Sequence, residues 1–185
     1  MALTESTMLE LGTTAPDFAL PDVVSGKTVR RDDFSGQKAL LIVFICAHCP
    51  YVKHIEKSFS ALAVDYAGKP LGIVAISSND AATHPEDSPA GLKRQAEIDG
   101  FSFPYLYDQS QAAAHAYKAA CTPDLFLFDG DLRLIYRGQF DSRRPGNGIP
   151  VTGEDLRAAL DAVLDGKLPL ADQRPSIGCN MKWKA

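Results

Sequence analysis

Apolar positions along the chain follow two rhythms. Continuous runs fill 38–45 and 71–77, where Val, Ile, Leu and Ala follow one another with little polar interruption. Runs of that length predict strands buried on both faces of a sheet. Between them, Val52, Ile55, Phe59, Leu62, Ala63 and Tyr66 recur at helical spacing, which predicts a helix over about 50–67 with Pro50 in its first turn and Gly68 at its end. Later, Ser88 caps a helix over 89–99 that Gly100 closes, 104–107 reads as a short strand, and Asp108 caps a helix from 109 to about 119. Segments 125–128 and 132–139 flank the turn Asp129-Gly130-Asp131 as an antiparallel hairpin. Thr152 caps a last helix ending near Leu164, with Glu154 and Asp155 at its positive end.

The ends are less patterned. Residues 1–14 read as a short tail, 15–21 as an extended stretch between prolines, and 23–31 as a hairpin turning at Ser25-Gly26. Residues 32–34 read as a helical turn, 79–89 as a loop rich in Asp, Pro and Ser, and 165–185 as a tail. Strands that alternate with helices predict an α/β layer sandwich, with the terminal hairpin adding antiparallel strands to a partly parallel sheet. No repeat, low-complexity run or linker divides the chain, so 1–185 is expected to be one domain with a core over about 12–165 and a C-terminal tail over 166–185.

The chemistry lies where the first buried run meets the first helix, at Cys46-Ala47-His48-Cys49. A cysteine at a helix start meets unpaired N–H groups and the positive end of the macrodipole. Both favour the thiolate, which is the reactive form. This reading expects Cys46 to be the low-pKa thiol, with His48 tuning it. The same spacing is half of a common zinc site, but a closed site needs four ligands. Cys121 and Cys179 lie apart, and no second Cys-x-x-Cys or His-x3-His occurs. A redox dithiol is therefore the first reading. A Cu- or Zn-binding module using Cys46, Cys49 and Cys121 or His48 stays open. His54 and His84 are expected at the surface, and His115 packed or exposed on a helix.

Composition narrows the field. The 185 residues are 45% hydrophobic and 23% charged, ordinary for a globular chain. A net charge of −4 offers no electrostatic footprint for nucleic acid or an anionic membrane. No apolar run approaches the roughly 20 residues of a membrane span. Residues 1–7 have neither the basic nor the apolar region of a signal peptide. The expected compartment is the reducing cytoplasm, where a dithiol is more often catalytic than structural.

Three separate pieces resemble the thioredoxin-fold superfamily, in particular its peroxiredoxin-like (redoxin, AhpC/TSA-type) branch. They are Gly12-Thr13-Thr14-Ala15-Pro16-Asp17-Phe18, the junction Phe44-Ile45-Cys46-Ala47-His48-Cys49-Pro50, and Thr122-Pro123-Asp124-Leu125-Phe126-Leu127-Phe128-Asp129 followed by 132–138. The ending Ser176-Ile177-Gly178-Cys179-Asn180-Met181-Lys182-Trp183 is similar to that of a peroxiredoxin-like subgroup. The resemblance implies a thioredoxin-like three-layer sandwich, a mixed central sheet flanked by helices with an N-terminal β-hairpin extension.

It also implies that Cys46 is an exposed nucleophile, that Cys49 resolves, and that Pro123, after Thr122, is a cis-proline facing the dithiol. Cys121 would be a third thiol nearby, and Cys179 a possible C-terminal resolving cysteine. The implied activity is thiol-disulfide exchange with a protein or small-molecule disulfide and a thiol reductant, without a cofactor. The alternative is a thiol peroxidase, with Arg137, Arg143 and Arg144 as candidate donors. The chain departs from both patterns. Ile45 stands where thioredoxins carry Trp, Ala47-His48 where they carry Gly-Pro, and Leu40 where they bury an acid. The Thr or Ser and the Pro that peroxiredoxins place before the peroxidatic cysteine are absent, whether counted from Cys46 or Cys49.

Overall fold

The computed structural model describes residues 3–146 and 148–185. Its centre is β4 (Ala39–Phe44), buried at every position, and β5 (Leu71–Ser77) pairs with it in parallel. With β6 (Tyr105–Tyr107), β8 (Asp124–Asp129) and β9 (Leu134–Gly138) they form a five-stranded sheet in the order β6-β5-β4-β8-β9. The pairs β5–β6 and β4–β5 are parallel, while β4–β8 and β8–β9 are antiparallel.

Alternation along β4 divides the core into two faces, because successive side chains point to opposite sides of a sheet. Leu41, Val43 and Ile45 pack with α1 (Pro50–Asp65), α2 (Pro89–Asp99) and α4 (Glu154–Leu164). Leu40, Ile42 and Phe44 pack with α3 (Ala112–Tyr117), Phe18 and Met181. The molecule is thus the expected three-layer α/β sandwich. The hairpin extension is also present, as β2 (Ala19–Pro21) against β3 (Thr28–Arg30). Its first arm ends at Pro21 rather than starting after it, because Asp22 folds the turn by accepting from Ser25 and Val24.

Four local expectations are corrected. The first is the pair of tails: β1 (Leu3–Glu5) and β10 (Ile177–Asn180) join β7 (Cys121–Thr122) in a sheet ordered β1-β10-β7. That pairing gives the edges of β10 and β7 the partners that short unpatterned segments do not advertise. The second is α3, which starts at Ala112 rather than 109. Gln111 is left-handed there, and the Asp108 carboxylate accepts from Ser78 Oγ and the Ala114 N–H instead of capping directly. The third is the cap of α4, which is Gly153 rather than Thr152. Asp141 reaches across to accept the N–H groups of both residues at 2.8 Å each. The last is the loop at 79–89, which contains a 3₁₀ turn, Pro85–Asp87, and buries Asp87 completely. The caps of α2 stand as expected: the Ser88 hydroxyl accepts from the Gly91 N–H, and Gly100 closes the helix in the left-handed region.

Candidate active site

The chain leaves β4 at Phe44, and Ile45 still bonds the Ile76 carbonyl. Cys49 is the N-cap of α1 and Pro50 its first residue, where the missing N–H costs nothing. Both cysteines of the junction meet one residue of β7. Cys46 Sγ lies 3.3 Å from Thr122 Oγ1, and Cys49 Sγ lies 3.2 Å from the Thr122 carbonyl oxygen. The Thr122–Pro123 peptide is cis. Strand alternation turns the neighbouring Cys121 the other way. Its sulfur lies against the Pro123 and Ser176 carbonyls, and burial pushes its pKa up. Cys121 therefore packs as a buried thiol with its sulfur turned from the pair, yet close enough to Cys49 and Cys179 for their charges to raise it further.

A third sulfur does reach the pair. Cys179, on β10, places its Sγ 2.7 Å from Cys49 Sγ. Cys49 is thus the middle of three thiols. An anion there accepts from Cys46 and from Cys179, and its pKa falls to about 5 despite burial. The Thr122 carbonyl works in the opposite sense, because it accepts only from a protonated Cys49. The flanking thiols move the other way. Burial, the bond to Cys49 and the nearby Asp87 carboxylate raise Cys46, while burial and the Cys49 anion push Cys179 up to about 12.

Two expectations for Cys46 are corrected here. Cys46 is 0% exposed, and the low-pKa thiol is Cys49. The reason is position: Cys49, not Cys46, is the helix cap, and only Cys49 has a thiol donor on each side.

Beneath the dithiol sits an acid that the sequence reading missed. One Asp87 oxygen accepts the N–H groups of Ala47 (2.8 Å) and His48 (3.2 Å), and the other faces His48 Nδ1 (2.6 Å) and Asn79 Nδ2 (2.8 Å). Burial alone would raise its pKa, but His48, Asn79 and the backbone outweigh it and hold Asp87 below its ordinary value. The carboxylate therefore fixes both residues between the cysteines. Leu40, in place of the acid thioredoxins bury, is the one local sign that the acid is supplied from elsewhere. It could not point to a loop distant in sequence.

His84 is half-buried rather than at the surface, with its ring 4.6 Å from that of His48. Gln95 ties the far side together by donating to the Cys46 carbonyl and to Glu56.

The remaining candidates are engaged elsewhere. His115 is exposed and stacks on Trp183. His54 is half-buried rather than solvated, in a small cleft with Tyr51, Pro123, Arg143 and Arg144. Arg137 donates to the Leu9 carbonyl and Gln173, and Arg144 to Gln139 and the Asp141 carbonyl. Arg143 pairs with Glu154. Among the described residues, Cys46, His48 and Asp87 bring metal-donating atoms within 4.8 Å of one another. Asp87 already receives four hydrogen bonds, about the full capacity of a carboxylate, which fits positioning better than ligation.

The model of the AhpC/TSA family matches residues 11–137. The chain belongs to that family. Its members here include relatives with redox names. The thiol-disulfide oxidoreductase ResA of Geobacillus kaustophilus (strain HTA426) is 26% identical over 162 residues, which cover 86% of this chain and 82% of ResA. A solved structure of an uncharacterised conserved protein from Geobacillus kaustophilus is 54% identical, with a TM-score of 0.97 over 100% of this chain and 97% of that one. The fold is also that of a thiol:disulfide interchange protein DsbE, so described, from Chlorobium tepidum. That structure is 22% identical with a TM-score of 0.66, over 84% of this chain and 99% of the other. The fold is thioredoxin-like and the family is that of the redoxins.

Proposed function

We propose that this protein is a thiol-disulfide oxidoreductase whose working pair is Cys46 and Cys49. The observation that carries the reading is the convergence of both sulfurs on Thr122, beside Pro123. In the reduced state the charge rests on Cys49. When packing over the sulfurs opens to a substrate disulfide, Cys49 takes the Cys46 proton. The Cys46 thiolate then attacks one substrate sulfur, and the other leaves as a thiolate, which takes the proton from Cys49. Cys49 next attacks the Cys46 sulfur of the mixed disulfide, closing Cys46–Cys49 and releasing the second substrate thiolate. A thiol reductant runs the same steps backwards. Thr122 Oγ1 supplies a donor for the Cys46 anion, and Asp87 holds the Ala47-His48 turn so that the sulfurs keep their spacing.

The competing peroxidase reading has less support. Positioned donors must hold a peroxide in line with the thiolate. Arg137 and Arg144 are held by other partners, while Arg143 makes a longer ion pair with Glu154 that leaves its buried Nε without a hydrogen bond among the described residues. The test uses an aromatic disulfide and hydrogen peroxide on the reduced protein. Exchange with the disulfide is expected, with Cys46→Ser inactive and Cys49→Ser trapped as a mixed disulfide on Cys46. Peroxide should react no faster than with an ordinary thiolate. A peroxide rate several orders of magnitude higher, or full exchange by Cys46→Ser, would overturn the reading.

A further inference from the structure

The contact between Cys49 and Cys179 is built rather than incidental. β10 lies antiparallel to β7 with Cys179 opposite Thr122 and Asn180 opposite Cys121. The Ser176 hydroxyl donates to the Pro123 carbonyl at 2.6 Å, and the Met181 N–H to the Ala120 carbonyl at 2.9 Å. Gly178 lets the two backbones meet: a β-carbon there would lie 2.0 Å from the Thr122 oxygen. On its other edge β10 is held by β1.

An extended segment adding to a strand edge is a general mode of peptide recognition, in which backbone bonds hold the segment and its side chains enter adjacent sites. Here the segment is the chain's own, it lies against the residues that precede Pro123, and it delivers a thiol to the dithiol. The sulfurs are less than an ångström farther apart than a disulfide bond of about 2.05 Å.

We propose that Cys179 is a third redox-active thiol, which attacks Cys49 of the Cys46–Cys49 disulfide and converts it to a Cys49–Cys179 disulfide. The step rests on the dithiol reading and needs no outside oxidant. A bond forms between the Cys179 and Cys49 sulfurs while the Cys46–Cys49 bond breaks, and Cys46 leaves as a thiolate that takes up the proton Cys179 gave. The Cys49 anion that keeps Cys179 protonated in the reduced protein is gone once Cys49 is in a disulfide, and Lys182 favours the Cys179 thiolate. Thr122 Oγ1 is placed to donate to the departing Cys46 sulfur. The outcome is a free Cys46 thiol and a C-terminal strand covalently clasped to the start of α1. The dithiol has a built-in acceptor on the strand that occupies the neighbouring backbone edge.

Disulfide mapping by mass spectrometry after diamide oxidation of dilute protein tests this, with alkylation of residual thiols. In Cys46→Ser, Cys49 and Cys179 should lose alkylation together as an intramolecular pair, while Cys121 stays alkylatable. In the wild type, Cys46–Cys49 should appear first and give way to Cys49–Cys179. In Cys179→Ala and Cys179→Ser it should persist. Conversion in the wild type needs no substitution and so does not depend on any variant folding. If the wild type forms a stable Cys46–Cys49 disulfide and Cys46→Ser leaves Cys49 and Cys179 both reduced, the relay is overturned and the dithiol reading stands. If Cys46–Cys49 never forms, the dithiol reading falls and the relay with it.

Discussion

At the scale of single residues, the site turns on where one negative charge rests. Local sequence favours Cys46, which follows the strand, yet the helix cap is Cys49 and both neighbouring thiols donate to it. The reduced protein should therefore gain thiolate absorbance in the far ultraviolet with a midpoint near pH 5. The phase should vanish in Cys49→Ser and move to higher pH in Cys46→Ala and Cys179→Ala, each of which removes a donor to the Cys49 anion. A midpoint lost only in Cys46→Ser would restore the assignment read from the sequence. The sign for stability follows. A depressed folded pKa stabilises the reduced protein above the unfolded value of about 8.5, and that contribution is lost as pH falls through about 5. Asp87 belongs to the same scale. Its four donors include the N–H groups of both residues between the cysteines, so one buried carboxylate sets the shape of the turn.

At the scale of elements, β10 matters most. Nothing in its four residues announces a strand, and its place is set by close approach to β7. Gly178→Ala puts a methyl group into the Thr122 carbonyl. Overpacking of this kind costs about 1–3 kcal/mol, and here the neighbour is backbone, which yields poorly. The variant should unfold at lower urea, and its Cys49 and Cys179 should alkylate faster in the native state as β10 draws back. Unchanged alkylation with a lower midpoint would mean that the strand keeps its place and the strain is absorbed elsewhere. The other elements were legible because their signals are contiguous: the buried run of β4, the spaced apolar face of α1, and Ser88 and Gly100 at the ends of α2. The cap of α4 was not, since Asp141, from a preceding loop, supplies what Thr152 was expected to supply.

At the scale of the whole molecule, burial decides how the fold responds to pH. Asp124 begins β8 beside the central strand, opposite Phe44, and burial raises its pKa to about 7, only partly offset by hydrogen bonds from Ser6, Ala120, Leu125 and Cys121. A raised folded pKa acts opposite to that of Cys49. Its stabilising effect is complete below the unfolded value near 4 and is lost as pH rises through about 7. Asp124→Asn should flatten this part of the stability profile between about pH 4 and 7, measured as the urea midpoint in buffers across that range. An unchanged slope would place the titration on another group.

The chain's own sequence determined the layered α/β fold, the dithiol at the junction of β4 and α1, and the proline that follows Thr122. Each is encoded by residues adjacent in the chain, through periodicity, capping chemistry and backbone restriction. Only the tertiary structure decided which sulfur carries charge, which acid supports the turn, and which third cysteine joins. Cys179 meets Cys49 across 130 positions of sequence, and Asp87 meets His48 across 39. Those meetings depend on strand pairing and on the turn before α2, and the reason is physical. Burial and hydrogen bonding set the energies of thiols and carboxylates, and both are properties of neighbours in space.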